Sequence, residues 1–412
     1  MKICVYGLYH LGTVTSSCLT EKNFHIIGLD NDKKIIEDLK LGIAPLYEPK
    51  LNNLIKKGIK NKKIFFTSNT SFALSNIKVL WVCFDTPIIN GKPNDKFIEK
   101  KIKKVLPYLK TNTIVLISSQ ISIGFIKKLK NYSCRYFPKK NIYFAYSPEN
   151  LRLGDAIKKF LKPDRIVVGV DSLYSKKILK KLFLSVTNKI EWMTIESAEM
   201  TKHAINSFLA TSIIFINEIT RVCKKVGATV IEVERGLKTD IRIGPKAYLS
   251  AGGPLTGETL LRDVNYLKTE SKKYNLSIPL LSSIFTSNDK YKKEMYNYIK
   301  KKFKNLSGIK FAFWGIAYKP NTSEIKGSLN LEICNWLLNQ GAKVNLYDPF
   351  VKLLPVKIKN KVKYCNSAID AILDTNNLIL GYSYSEFKKT INSMPIKKRK
   401  KLKLIDPYHY AY

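Results

Sequence analysis

A chain of 412 residues, 45% hydrophobic and 25% charged, has the length for two or three domains with cores of their own and the balance of a soluble globular protein. Its 71 Lys and Arg against 32 Asp and Glu give a formal charge of +39, but the lysines are interleaved with Ile and Asn throughout and no nucleic-acid-binding motif accompanies them, which excludes a nucleic-acid partner as the first reading. No run approaches the ~20 apolar residues that crossing a bilayer requires, and Met1-Lys-Ile-Cys-Val enters a strand without a basic leader, so a cytoplasmic location with no membrane partner is expected.

In chain order, Lys2–Tyr6, His25–Leu29, Val79–Phe84, Thr113–Ser118, Ile142–Tyr146 and Arg165–Val170 read as buried strands, with helical patterns such as Lys33–Leu41 and Ile98–Leu106 between several of them. Strand and helix in alternation predict a doubly wound parallel sheet. From about Ile195 to Gly227 the period changes to that of one long helix, and a helical cluster follows to about Lys304. The opening arrangement then returns: a strand at Lys310–Trp314, a turn at Gly315, a helix at Leu329–Asn339 and a strand at Lys343–Leu346 before Asp348. The expected fold is therefore α/β, with two Rossmann-like doubly wound domains joined by a long central helix and a small helical domain, divided at residues 1–190, 191–304 and 305–412. The seven cysteines are scattered, with no CxxC pair or zinc-like spacing, and read as reduced, largely buried thiols; no metal is expected.

Gly7-Leu-Tyr-His-Leu-Gly12 follows the first strand and opens a helix, the context of a dinucleotide fingerprint. Tyr9 stands where the second glycine lets the pyrophosphate approach, yet the helix N-terminus still favours a phosphate. Asp30, closing the second strand, is placed to accept from an adenosine ribose, which favours NAD over NADP. Each loop is also compatible with an ordinary strand-to-helix turn, including Trp314–Thr322, where Lys319 is positioned for a diphosphate.

Several stretches together resemble the UDP-glucose/GDP-mannose dehydrogenase family over nearly the whole chain. They include the Gly7–Gly12 loop, Leu46-Tyr-Glu-Pro49, Asp85-Thr-Pro87, Ser147–Gly154, Pro163-Asp-Arg165, Ala198–Asn206, Ile216-Asn-Glu218, Arg242-Ile-Gly244, Gly252–Asp263, Ala317–Thr322 and Tyr347-Asp-Pro349. The resemblance implies an N-terminal NAD domain, a central helix that forms a homodimer, and a C-terminal domain that binds a sugar nucleotide, a UDP- or GDP-hexose. Family members oxidise a sugar C6 hydroxymethyl group to a carboxylate in two NAD-dependent steps, the second through a thioester on a cysteine. It places Gly7, Tyr9, Leu11, Gly12, Asp30, Thr86 and Gln120 at the cofactor. Lys202 and Asn206 match the residues that stabilise the developing oxyanion, and their i, i+4 spacing puts them on one helix face. Asp263 matches an acid that orders water, Glu149 a general acid/base, Arg242 an arginine that reaches the sugar nucleotide across the dimer, and Lys319 a substrate lysine. Polysaccharide biosynthesis is implied on the same ground.

The departures from the family pattern bear on the chemistry. Thr259 occupies the place of the nucleophilic cysteine, and no cysteine lies between Cys223 and Cys334. A hydroxyl is a far weaker nucleophile than a thiolate and needs a strong neighbouring base; Glu258 and Asp263 are the acids at hand. Gln120 stands for a threonine, Leu261-Arg262 for Pro-Lys, and Leu153 for a second carboxylate near Glu149. The expected activity is one two-electron step on a sugar nucleotide, with the full four-electron oxidation left open through a hydrated aldehyde. A catalytically silent sugar-nucleotide-binding protein is the alternative, and a nucleic-acid-binding protein a third.

Overall fold

A computed structural model describes residues 1–89, 92–149, 151–256, 259–318, 320, 322–382 and 384–408. The chain divides into two compact units, Met1–His203 and Ala204–Tyr412.

The first unit is built on eight strands: β1 (Lys2–Tyr6), β2 (His25–Leu29), β3 (Ile64–Thr67), β4 (Val79–Val82), β7 (Ile114–Ile117), β8 (Tyr143–Tyr146), β9 (Ile166–Val170) and β10 (Ile190–Met193), with the two-residue strands β5 (Ile88–Ile89) and β6 (Lys92–Pro93) forming a separate hairpin. Their order is β10-β9-β8-β7-β4-β1-β2-β3. Every side chain of β4 and β7 is buried, as expected of central strands covered on both faces. One apolar cluster packs on each face, with Val82, Ile117 and Phe144 on one side and Val5, Trp81 and Leu116 on the other. Asp32 starts the helix Lys33–Lys40 by accepting the Lys34 and Ile35 N–H groups, which fixes the exit from β2.

The sheet is not wholly parallel. β9 pairs antiparallel with β8, Ala145 opposite Val170, which reverses the direction expected of it, and β10, a strand the sequence does not predict, runs parallel to β9. The segment Ser147–Lys162 makes the difference. Among its described residues the only regular element is the short helix Ala156–Leu161, about a turn and a half long, in place of the full crossover helix of a βαβ unit.

The second unit carries most of the helix Ile195–Val226, then the helices Val230–Thr239, Thr259–Lys273 and Pro279–Lys302. A wholly parallel sheet follows, ordered β13-β12-β11-β14-β15, from β11 (Lys310–Trp314), β12 (Lys343–Tyr347), β13 (Lys363–Tyr364), β14 (Asn377–Leu380) and β15 (Lys403–Ile405). Its two faces are also covered by separate apolar clusters. Among the described residues no helix is long and apolar enough to cross a membrane.

Candidate functional site

In the first unit the order of strands reverses between β1 and β4, and an open α/β sheet binds its ligand at the carboxyl ends of the strands flanking such a point. The β1 loop turns at Gly7, whose φ of +95° is a glycine conformation, and a Cβ there would lie 2.8 Å from the Phe84 ring. A Cβ on Gly12 would lie 1.7 Å from the Gly7 carbonyl oxygen, so helix and turn meet only because both residues are glycine. The helix His10–Glu21 begins here with no acidic residue in its first turn and is buried from Leu11 to Thr20, leaving its positive end for an anion. Tyr9 occupies the N-cap position, makes no side-chain cap bond and is 46% exposed.

Asp30 is buried and its carboxylate accepts the Leu8 N–H at 2.7 Å and the Asp32 N–H at 3.1 Å. It thus fastens the loop after β1, a role the sequence analysis did not assign, and an ionised carboxylate has further lone pairs for a ribose hydroxyl. Thr86 and Gln120 meet: the Thr86 hydroxyl donates to the Gln120 carbonyl oxygen at 2.6 Å, joining the loops after β4 and β7. The loop after β7 is pinned by two buried residues outside the expected set. Glu199 accepts the Gly124 and Ile126 N–H groups, and the His203 ring lies 3.1 Å from the Ile121 carbonyl. Burial pushes the Glu199 carboxyl up, against the lowering effect of those two backbone bonds.

Glu149 and Lys202 are brought together. The Lys202 ammonium donates to the Glu149 backbone oxygen at 2.7 Å and lies 3.6 Å from its Oε1, while Oε2 accepts the Leu151 N–H at 2.8 Å. Asp85 adds a third charge in range: burial pushes its carboxyl up, His10 opposes that and Glu149 reinforces it. An acid at the end of β4, beside the switch point, was the available sequence signal for Asp85.

In the second unit the loop Gly252–Thr256 is held from several sides. Asn288 exchanges two bonds with the Leu255 backbone, at 2.8 and 3.1 Å, Tyr291 donates to the Gly252 carbonyl at 3.0 Å, and Asn217 donates to that of Gly253 at 3.3 Å. The Thr256 hydroxyl donates to the Tyr318 carbonyl at 2.8 Å. Asp263 is fully buried and accepts from the Asn206 amide, itself 7% exposed, so two expected residues form one buried pair. Thr259 is exposed as the first residue of the helix Thr259–Lys273, and among the described residues no base is hydrogen bonded to its hydroxyl. Arg242 is exposed in a turn where it grips Asp240, holding that carboxyl below its usual range. Lys319 and Glu258 lie outside the described residues.

Asp348, closing β12, is wholly buried and accepts four backbone N–H groups: Ile316 at 2.8 Å and Ala317 at 3.1 Å from the loop after β11, and Phe350 at 2.8 Å and Val351 at 3.0 Å beyond β12. It repeats the fastening made by Asp30 in the first unit.

Three family models match the chain: the NAD binding domain of the UDP-glucose/GDP-mannose dehydrogenase family over residues 1–187, its central domain over 196–290 and its UDP binding domain over 312–408. The UDP-glucose 6-dehydrogenases of Rickettsia conorii and Rickettsia bellii are similar at 28% and 29% identity, each over 94% of this chain and 90% of its own length. The UDP-glucose dehydrogenase structure from Pyrobaculum islandicum shares the fold, with a TM-score of 0.86, 22% identity and coverage of 99% of this chain and 97% of its own. The cradle at Gly7 and Gly12, the open helix end and Asp30 fit NAD.

Proposed function

The chain belongs to the UDP-glucose/GDP-mannose dehydrogenase family, NAD-dependent oxidoreductases that act on sugar nucleotides, and we propose that it oxidises C6 of a UDP- or GDP-hexose by two electrons and stops at the carbonyl. The observation that carries the second half is Thr259: an exposed hydroxyl with no bonded base among the described residues supplies no covalent route to a carboxylate.

When bound on the Gly7–Gly12 turn, NAD supplies the hydride acceptor. Gly7, Leu11, Gly12 and Asp30 hold it, with Tyr9 at the rim and Thr86 and Gln120 on the facing loops. Lys202 and Asn206, one turn apart on the helix Ile195–Val226, stabilise the alkoxide oxygen, the second through whichever amide N–H is not engaged by Asp263. The hydroxyl proton goes to the Glu149 carboxylate or to a water ordered by Asp263.

The same reading gives a homodimer built on that helix. Phe208, Phe215, Val222 and Val226 recur at helical spacing and are 70%, 45%, 57% and 70% exposed, an apolar stripe of the kind that a second copy covers. Arg242 then reaches the partner's sugar nucleotide, Lys319 the chain's own, and the work divides among residues 1–190, 191–304 and 305–412.

The test is the yield of NADH per sugar nucleotide consumed, over a panel of UDP- and GDP-hexoses with an aldehyde trap present. One NADH with trapped carbonyl is expected; two NADH with a uronic acid would overturn the single step.

A further inference from the structure

Glu48 lies in the first unit with its side chain 1% exposed, and its carboxylate gathers three donors from two separate places. Oε2 accepts the Gly154 N–H at 2.9 Å and stands 3.1 Å from His10 Nε2; Oε1 accepts the Ala156 N–H at 2.8 Å. His10 is the first residue of the helix behind the nucleotide turn, with its side chain 14% exposed. Gly154, at φ +88°, stands two residues before the helix Ala156–Leu161, in the segment after β8 that also carries Glu149.

A carboxylate at this depth is costly unless its lone pairs are filled, so neither group of donors can move away without leaving it unsatisfied. The two places are 38 and 106 residues from Glu48 along the chain, and no short-range preference aligns them. We propose that Glu48 is a positioning residue that indexes the Glu149 loop to the first turn of the nucleotide helix, so that a cofactor seated on one orders the other. The link between the two segments stands on these contacts alone; its use in proton transfer rests on the function proposed above.

Hydrogen exchange read by mass spectrometry, with and without NAD, tests it on the full chain. In the unsubstituted protein NAD slows exchange both at residues 8–14 and at residues 151–157. Glu48→Gln sets an amide donor among N–H donors; it keeps the NAD effect at 8–14 and loses it at 151–157, and kcat falls by about 10²-fold, the scale of a small misplacement at a reacting centre. His10→Phe cuts the link yet leaves Glu48 its two backbone donors. Exchange at 151–157 without NAD is then unchanged, and the response to NAD disappears. Protection of 151–157 by NAD in either variant to the same extent as in the parent, or protection confined to 8–14 in the parent, would overturn the proposal. A protein that couples the two segments but forms no NADH from any sugar nucleotide would keep it and refute the reaction instead.

Discussion

The Lys202 ammonium donates to the Glu149 backbone oxygen at 2.7 Å and stands 3.6 Å from one carboxylate oxygen of the same residue. The cation is thereby fixed beside the group expected to take the substrate proton, with only 13% of its side chain exposed. Lys202→Ala should lower kcat by about 10²- to 10³-fold, the cost of removing one oxyanion donor, and leave the far-ultraviolet circular dichroism unchanged. Steady-state activity equal to that of the parent would end the assignment of this site.

Thr259→Ala should leave turnover and NADH yield where they were, because the proposed single step passes no chemistry through the hydroxyl. Thr259→Cys is the informative partner. A thiol at the start of the helix Thr259–Lys273 has its thiolate favoured by the helix dipole, so the NADH yield per sugar should rise from one towards two. A loss of several orders of magnitude in the alanine variant would show that the hydroxyl is a nucleophile.

Gly12→Ala places a methyl group 1.7 Å from the Gly7 carbonyl oxygen. The turn must open to accommodate it, and overpacking of this kind costs about 1–3 kcal/mol. NAD affinity by isothermal titration should fall together with the thermal midpoint, if the diphosphate sits on that same helix end as proposed. Unchanged affinity would remove the cofactor from this turn.

Burial pushes the Cys18 and Cys334 thiols up to about 12 and those of Cys4 and Cys83 higher still, whereas Cys134 is exposed. Alkylation of the native protein should therefore mark Cys134 first. A thiol whose folded pKa is raised keeps its proton longer when folded, so its contribution is complete below about 8.5, the ordinary thiol value, and is lost as pH rises towards 12. Urea unfolding at pH 8 and pH 10.5 should show this decline, and Cys18→Ala should reduce its slope. An unaltered slope would mean the thiol is already solvated in the folded state.

Phe208→Asp combined with Val222→Asp puts charge into the exposed apolar stripe of the central helix. Light scattering should report one chain's 47.2 kDa for the variant and twice that mass for the parent. A parent that scatters as a single chain would place the oligomer elsewhere or nowhere.

Much of the fold is legible in the sequence. β1, β2 and β11 occupy the residues expected of them, and the central helix ends at Val226, one residue short of expectation, because long apolar runs and a sustained helical period are strong local signals. Ile64-Phe-Phe-Thr67 was missed: four residues behind a lysine run are too short for their alternation to register, and pairing with β2 makes them a strand. Ile190–Met193 was missed for a related reason, since Glu191 lies at an exposed sheet edge. The direction of β9 is a property of its pairing and of the connection before it, neither of which its own residues record. Motif order names Lys202, Glu149, Asn206 and Asp263 as candidates, and the fold pairs the first two with each other and the last two with each other, while Glu48, Asp85, Glu199 and His203 act through backbone partners or neighbouring charges that only the folded chain brings near.

Asp348 has a further consequence, for counting. A second sheet with the winding of the first suggests a second dinucleotide site, but the acid that would read its ribose is wholly buried and its oxygens are taken by four backbone donors. Equilibrium titration with NAD should therefore saturate at one equivalent per chain, and a sugar nucleotide seated on the C-terminal sheet must be recognised by other groups than the residue that closes β12.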